Sequence, residues 1–148
     1  MSAAHAVAVA VIFVWLGMVL AISFIEAPLK FRAPGVTLEV GLGIGRLVFR
    51  ALNTVEVIIA VILLAALAIN PPSQAPVVAA GVGVAALAVQ LLVVRPMLSR
   101  RSTMVLAAAG APTPTDSSRR SRAHYGYVAA EIAKIAALLV AGVTLLVT

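Results

Sequence analysis

Four apolar stretches, each long enough to cross a lipid bilayer, constrain this sequence more than any other feature. They lie at roughly residues 6–27, 47–69, 76–95 and 124–147 of 148. A helix needs about 20 apolar residues to span a hydrocarbon core of about 30 Å, and a helix satisfies its own backbone hydrogen bonds in lipid. The sequence therefore predicts an all-α integral membrane four-helix bundle, with one membrane domain over residues 1–148.

Composition supports a membrane protein and excludes several other classes. The chain is 63% hydrophobic and 11% charged, with a mean hydropathy of +1.14, and soluble domains are far more polar. The segment before the first stretch, MSAAHA, has no Lys or Arg, so we expect a retained helix rather than a signal peptide. Without cysteine, and with His5 and His124 at opposite ends of the membrane, no metal, cofactor or catalytic set is predicted.

The placement of basic residues predicts the topology. Ten of them flank the connections predicted at residues 28–46 and 96–123: Lys30, Arg32, Arg46, Arg50, Arg95, Arg100, Arg101, Arg119, Arg120 and Arg122. The positive-inside rule makes both connections cytoplasmic and puts both termini outside, and we expect the plasma membrane. The net charge of +6 then forms a rim that meets anionic lipid head groups, and nucleic acid is not expected as a partner.

Three ionisable residues fall inside the apolar stretches. Glu131 and Lys134 are three residues apart on the last predicted helix, so they share a face and partly neutralise each other. Glu56 lies on the second helix, which runs in the same direction, so all three should lie at similar depth and Glu56 should reach Lys134. Each charge costs about 2.5 to 3.5 kcal/mol at the centre of a bilayer, so something must offset that cost.

A polar stripe precedes this group on the second predicted helix. Arg46, Arg50 and Asn53 follow at steps of four and three residues. With polar faces turned inward, Arg50 and Asn53 are predicted to reach Glu131. Glu26, at the inner end of the first helix, joins the same candidate network for an ion or polar solute. Two interpretations stay open: a self-compensating network that fixes helix order, or a water-accessible binding site.

Local signals predict the ends and contacts of the first two helices. Pro28 has no amide donor and disfavours helical geometry in Ala27, so the first helix should kink or stop there. Trp15, near mid-membrane, is predicted to serve packing rather than binding. The connection at 28–46 alternates apolar residues with glycines, and we expect an interfacial or re-entrant segment whose glycines permit close approach.

The third helix is rich in small residues. A short link should make the second and third helices an antiparallel neighbouring pair. Ala79 and Gly83, and likewise Gly81 and Ala85, have the small-xxx-small spacing that favours close helix contacts. Gln90 is the strongly polar residue of this helix, and we expect it to form an interhelical hydrogen bond.

The two halves of the chain resemble each other. TVEVIIAVILL from Thr54 parallels AAEIAKIAALL from Ala129, which sets Glu56 opposite Glu131 and Ile59 opposite Lys134. A parallel two-helix repeat, with its axis along the membrane normal, would produce this pattern. Apolar helices also match by chance, so both origins stay open.

Several motifs together resemble a known family. They are the run VWLGMVLAISFIEAPLKF, the downstream GRLVF with Asn53 and Glu56, and the Arg-rich approach to HYGYVAAEIAKIAALL. The chain resembles the uncharacterised membrane proteins of domain-of-unknown-function family 4149, which is similar to the transmembrane protein 205 group. The resemblance covers nearly the whole chain. It implies a four-helix bundle and offers no catalytic residues.

Three functions fit these features. The first is a transporter- or channel-like protein that acts as an oligomer and handles an ion, proton or small polar solute. The second is a non-catalytic accessory subunit or assembly factor of a larger membrane complex. The third is an enzyme that binds a lipid or quinone through His124, Tyr125 and Tyr127 near the inner interface, although tyrosines there also serve as membrane anchors.

Overall fold

Four long helices make up nearly all of the structure, a computed structural model that describes residues 2–94, 96 and 114–147. Their bounds are α1, Ala3–Arg32; α2, Leu38–Ile69; α3, Gln74–Val93; and α4, Pro114–Val147, whose apolar part is Tyr125–Val147. No strand occurs in these ranges. All four helices are long and apolar enough to cross a membrane, which confirms the predicted all-helical class and indicates a multi-pass membrane protein.

Helix α1 continues past Pro28, where it was predicted to kink or stop. It is α-helical over Ala3–Val19, π-helical over Leu20–Glu26, and helical again to Arg32. In a regular α-helix the proline ring would clash with the carbonyl four residues earlier, and the wider π turn just before Pro28 relieves that crowding. Ala27 keeps helical angles, φ −55° and ψ −46°, so the expected loss of helical geometry there is wrong.

Helix α2 begins earlier than expected. Thr37 caps it, since its hydroxyl accepts a hydrogen bond from the Val40 amide at 3.3 Å. The alternating sequence predicted as an interfacial or re-entrant segment is therefore the first part of a helix. Gly35, at φ 79°, lets the chain reverse between α1 and α2.

Two glycines of α2 allow the end of α1 to lie against it. A Cβ atom on Gly41 would overlap the ring of Phe31, and one on Gly45 would lie 2.9 Å from Lys30 Nζ. Gly43 points into open space instead. The predicted close approach is thus confirmed at Gly41 and Gly45, which are four residues apart and share one face of the helix.

The helices pack as two hairpins joined through α1 and α4. Helix α1 packs against α2 and α4, and α3 packs along α4. For example, Gly142 of α4 faces Ile12 and Phe13 of α1, and Gly83 of α3 faces Leu138 of α4. Within the described residues α2 and α3 scarcely touch, so their prediction as a packed pair is wrong. A short link holds helix ends together but does not make the helices pack along their length.

The two ends of the molecule differ in character. The end at which α1 stops and α2 starts carries Lys30, Arg32 and Arg46, and is called the basic end below. At the other end, the link end, the Asn70 amide donates a hydrogen bond to Ser2 Oγ at 3.0 Å. Buried apolar side chains fill the half nearer the link end, among them Ala8, Ile12, Leu63, Leu138 and Leu145. Of the second predicted basic connection, Arg95, Arg100 and Arg101 lie outside the described residues, whereas its last part, from Pro114, is the beginning of α4.

The glycine contacts generate the first test. We expect Gly41→Ala to displace Phe31 and to lower the free energy of unfolding by about 1 kcal/mol, a usual cost for a disturbed contact. Gly43→Ala is the matched control on the same helix. It should stabilise the protein by up to about 1 kcal/mol, because alanine favours a helix over glycine and the site is open. Equilibrium unfolding in mixed micelles measures both, and equal effects at the two positions would contradict the contact.

Candidate functional site

The ammonium group of Lys134 is the meeting point of three helices. Its Nζ donates hydrogen bonds to Oε1 of Glu56 on α2, to Oε1 of Gln90 on α3 at 2.7 Å, and to Oε1 of Glu131 on α4 at 3.3 Å. A lysine ammonium has three donors and no acceptor. Each N–H of Lys134 therefore has one partner, and each partner comes from a different helix.

Each carboxylate accepts a hydrogen bond from a second donor, and one of these donors lies on the remaining helix, α1. Trp15 Nε1 of α1 donates to Glu56 Oε1 at 2.8 Å, and Gln90 Nε2 donates to Glu131 Oε1 at 2.8 Å. Together with Lys134 these residues form what we name the charge cluster: Trp15, Glu56, Gln90, Glu131 and Lys134. All five are buried; Gln90 is 3% exposed, Glu131 2%, and the others 0%.

The charge cluster repeats one arrangement twice. Trp15 and Glu56 are 41 residues apart, and so are Gln90 and Glu131. The chain offset that carries Glu56 onto Glu131 also carries further buried positions onto one another: Ile12 onto Leu87, Ile59 onto Lys134, Leu63 onto Leu138, and Ala66 onto Ala141. The predicted alignment of the two halves thus extends from α2 and α4 to α1 and α3.

Charge in the cluster does not balance. Two carboxyl groups face one amine, so the ionised forms of all three would carry one net negative charge. The second oxygen, Oε2, of both Glu56 and Glu131 is buried and has no hydrogen-bond partner among the described residues. Burying an unpaired charge costs several kcal/mol. The cluster is therefore suited to hold one proton or one small cation in addition to Lys134.

Polar groups continue from the charge cluster towards the basic end. Tyr127 lies one turn before Glu131 on α4, on the same face of the helix. Ser23 Oγ of α1 and Glu131 Oε2 are both buried, and neither has a hydrogen-bond partner among the described residues. The Tyr127 ring meets the Phe49 ring edge-on, with centroids 5.6 Å apart. Lys30 Nζ lies 5.3 Å from the Phe49 centroid, so this arrangement extends to the surface.

Of the predicted site residues, the structure brings together Glu56, Glu131 and Lys134, including the predicted contact between Glu56 and Lys134. Arg50 is exposed on the outer face of α2, and Asn53 lies beside the cleft described next. Neither reaches Glu131 as predicted, since Glu131 takes its hydrogen bonds from the neighbouring α3 and α4.

The other predicted residues lie outside the charge cluster. Glu26 pairs with Lys30 of the same helix at 3.5 Å. Arg46 is exposed at the basic end. Tyr125 is 67% exposed, and the side chain of His124 lies outside the described part of the chain.

A cleft separates α2 from α3 where the two helices diverge. It has a volume of about 270 Å³. Its lining consists of Asn53, Thr54, Val57, Ile58 and Leu91. Three of the five lining residues are apolar, and the cleft lies between two helices.

The sequence analysis identified the role of Gln90 but missed the hydrogen bond of Trp15 and the buried hydroxyl of Ser23. Gln90 forms the expected interhelical hydrogen bond. Trp15 does more than pack, because its indole N–H binds Glu56; a buried indole N–H needs an acceptor, which was the available signal. Ser23 was not singled out, although it lies two helical steps of four residues from Trp15, on the same face of α1.

Removing the shared ammonium is the direct test of the charge cluster. We expect Lys134→Met to lower the free energy of unfolding by about 3 to 5 kcal/mol, because two buried carboxylates lose their counter-ion. Arg50→Met, which removes an exposed cation from α2, should change it by about 0.5 kcal/mol or less. Denaturant titration in mixed micelles measures both variants. Similar stability for Lys134→Met and the wild type would show that the cluster does not hold the helices together.

Comparison of the chain with protein-family models, with curated proteins and with solved structures gave no match. The relation to family 4149 and to the transmembrane protein 205 group stays a prediction from the motifs quoted above. The functional proposal below therefore rests on the buried side chains and not on a relative.

Proposed function

We propose that the protein is a small four-helix bundle of the plasma membrane that moves a proton, ion or small polar solute, as a transporter- or channel-like oligomer. The observation that carries this proposal is the unequal number of acidic and basic groups in the cluster: Glu56 and Glu131 share one counter-ion, Lys134. Each carboxyl group also has a buried oxygen without a hydrogen-bond partner among the described residues. A purely structural polar network would be expected to balance its charges and satisfy its hydrogen bonds. This one has capacity for an additional positive charge.

The proposed orientation puts the basic end in the cytoplasm and both termini outside. Lys30, Arg32 and Arg46 at that end support it through the positive-inside rule. Anionic lipid head groups are the proposed partners of this basic rim.

The apolar half of the protein favours a carrier over an open pore. Ile12, Leu63, Leu138 and Leu145, all buried, lie between the charge cluster and the link end. A solute that reaches the cluster from the basic end therefore meets apolar packing beyond it. Release on the other side requires a change in helix packing, as in alternating access. Four helices alone rarely enclose a pathway across a membrane, so we propose that copies associate.

Transport by the purified protein in liposomes tests this proposal. We expect Glu56→Gln and Glu131→Gln each to reduce proton or cation flux by roughly tenfold or more, because each removes a charged group that positions the transferred ion. Glu39→Gln, which neutralises an exposed carboxylate in the first turn of α2, is the matched control and should keep wild-type flux. If Glu56→Gln and Glu131→Gln both keep the flux of the wild type at equal protein content, the proposal is wrong.

One observation favours a second function, that of an accessory subunit in a larger membrane complex. Gly83 of α3 packs on Leu138 within the chain, but Gly81 faces open space and Ala85 is exposed. The spacing of Gly81 and Ala85 suits a close contact with another helix, and no helix of this chain supplies one among the described residues.

Purification in a mild detergent separates the two functions. Stoichiometric elution with another membrane complex, lost in Gly81→Leu, would support the accessory subunit. A stable homo-oligomer that contains no other protein would count against it.

A further inference from the structure

We propose that the cleft between α2 and α3 binds one anionic phospholipid from the leaflet at the basic end. The phosphate of this lipid contacts Arg50 and Asn53, and one acyl chain lies along Val57, Ile58 and Leu91. The inference deepens one part of the proposed function, the association of the basic end with anionic lipids, and rests on that part alone. It does not depend on transport by the charge cluster.

The cleft is a gap between two helices that the short link at 70–73 joins but does not pack together. Leu91, in the π-helical segment Gln90–Val94 of α3, forms the wall opposite α2. Residues 53–58 of α2 cover about 8 Å of helix, so a volume of about 270 Å³ corresponds to a cross-section on the order of 30 Å². A helix with its side chains is about 10 to 12 Å across, which is too wide for this cleft. A hydrocarbon chain fits.

One face of α2 changes from polar to apolar along the cleft. Its residues recur at steps of three and four, which places them on the same side of the helix: Arg50, Asn53, Thr54, Val57 and Ile58. The polar members lie nearer the basic end, and the apolar members lie deeper. A phospholipid has the same order, with its phosphate at the membrane surface and its acyl chains below.

The position of Arg50 along α2 matches the depth of lipid phosphates. The helix ends at Ile69, at the link end of the molecule. A hydrocarbon core of about 30 Å takes about 20 helical residues, and counting these back from Ile69 reaches Arg50. Asn53 then lies about 5 Å inside the hydrocarbon, and Ile58 about 12 Å deeper than Arg50. The cleft therefore opens beside the upper part of the acyl chains.

Two polar side chains at the mouth of the cleft have no partner among the described residues. The Asn53 side chain is half-buried and lines the cleft, and the Arg50 guanidinium is exposed. The Thr54 hydroxyl, in contrast, donates a hydrogen bond to the Arg50 backbone oxygen at 2.9 Å. An amide in hydrocarbon is unfavourable without a hydrogen bond. Phosphate oxygens accept from the Asn53 amide and bind the guanidinium through two parallel N–H groups.

Charge favours an anionic lipid over a second copy of the chain at this cleft. The basic end carries Lys30, Arg32 and Arg46 in addition to Arg50. Copies in one membrane share one orientation, so a dimer through this face would bring both Arg50 side chains to the same depth, where like charges repel. An anionic lipid adds negative charge there. A zwitterionic lipid offers less, because its own ammonium accompanies the phosphate.

Native mass spectrometry of the full chain tests the polar part of the site. The chain is titrated in detergent with phosphatidylglycerol or with phosphatidylcholine of the same chain length. We expect the wild type to bind one phosphatidylglycerol, and Arg50→Gln to lower that affinity by roughly tenfold, since charge-assisted hydrogen bonds are lost. Arg32→Gln removes an exposed cation of α1 away from the cleft and should lower it by about twofold or less. Phosphatidylcholine should bind more weakly than phosphatidylglycerol.

A second pair of variants tests the apolar part of the site. Val57→Trp puts a large ring into the cleft and should abolish the tight binding of phosphatidylglycerol. Val55→Trp is the matched control, because Val55 and Val57 are 40% and 42% exposed and lie on different sides of α2. It should bind phosphatidylglycerol like the wild type. Arg50→Gln decides if Val57→Trp does not fold.

Several outcomes would overturn the site. Equal losses of affinity in Arg50→Gln and Arg32→Gln would leave only a general attraction of lipids to the basic rim. Unchanged binding in Val57→Trp, or equal affinities for the two lipids, would also contradict it. Displacement of phosphatidylglycerol by an equal concentration of inorganic phosphate would indicate a phosphate site instead. A dimer that Val57→Trp disrupts and phosphatidylglycerol does not would make a second copy the occupant.

Flux measurements in liposomes separate this inference from transport. Lipid binding that depends on Arg50 and Val57, without flux, would remove transport and support the lipid site. Flux without such binding would remove the lipid site alone.

Discussion

The arrangement of this protein depends on the need of one lysine ammonium, buried in an apolar interior, for three acceptors. Glu56, Gln90 and Glu131 supply these acceptors from α2, α3 and α4. Trp15 connects the fourth helix, α1, to the cluster by donating a hydrogen bond to Glu56. An unpaired buried charge costs several kcal/mol, more than individual contacts between small side chains in a membrane contribute. The charge cluster therefore has more influence on helix order than the glycine and alanine spacings do.

The sequence was sufficient to predict the four membrane-spanning helices and the ion pair between Glu56 and Lys134. A bilayer demands long apolar helices, and counting residues along two helices of the same direction put Glu56 and Lys134 at one depth. The face of each helix that turns inward was harder to predict. Helix α1 is apolar all round, so Trp15 and Ser23 had no polar stripe to mark them, and the polar stripe on α2 directed attention to Arg50, which faces outward. Packing between helices decides such orientations.

The two halves of the molecule are similar in geometry but unequal in charge. One chain offset relates the Trp15–Glu56 and Gln90–Glu131 hydrogen bonds, so each hairpin presents one carboxylate with one N–H donor. Trp15 corresponds to Gln90, both uncharged, so the charges of the two halves differ at one position of the cluster, where Ile59 in one half corresponds to Lys134 in the other. Two carboxylates share one ammonium because lysine occurs at only one of these two corresponding positions.

This inequality bears on how the chain is assembled in a cell. The hairpin of α3 and α4 contains Gln90, Glu131 and Lys134, and is therefore internally paired. The hairpin of α1 and α2, which the ribosome makes first, has only the indole of Trp15 to offer Glu56. Until α4 is inserted, this acidic side chain has no cation within the bilayer. Within the bilayer, an incomplete chain therefore has an unpaired carboxyl group that the finished chain pairs with Lys134.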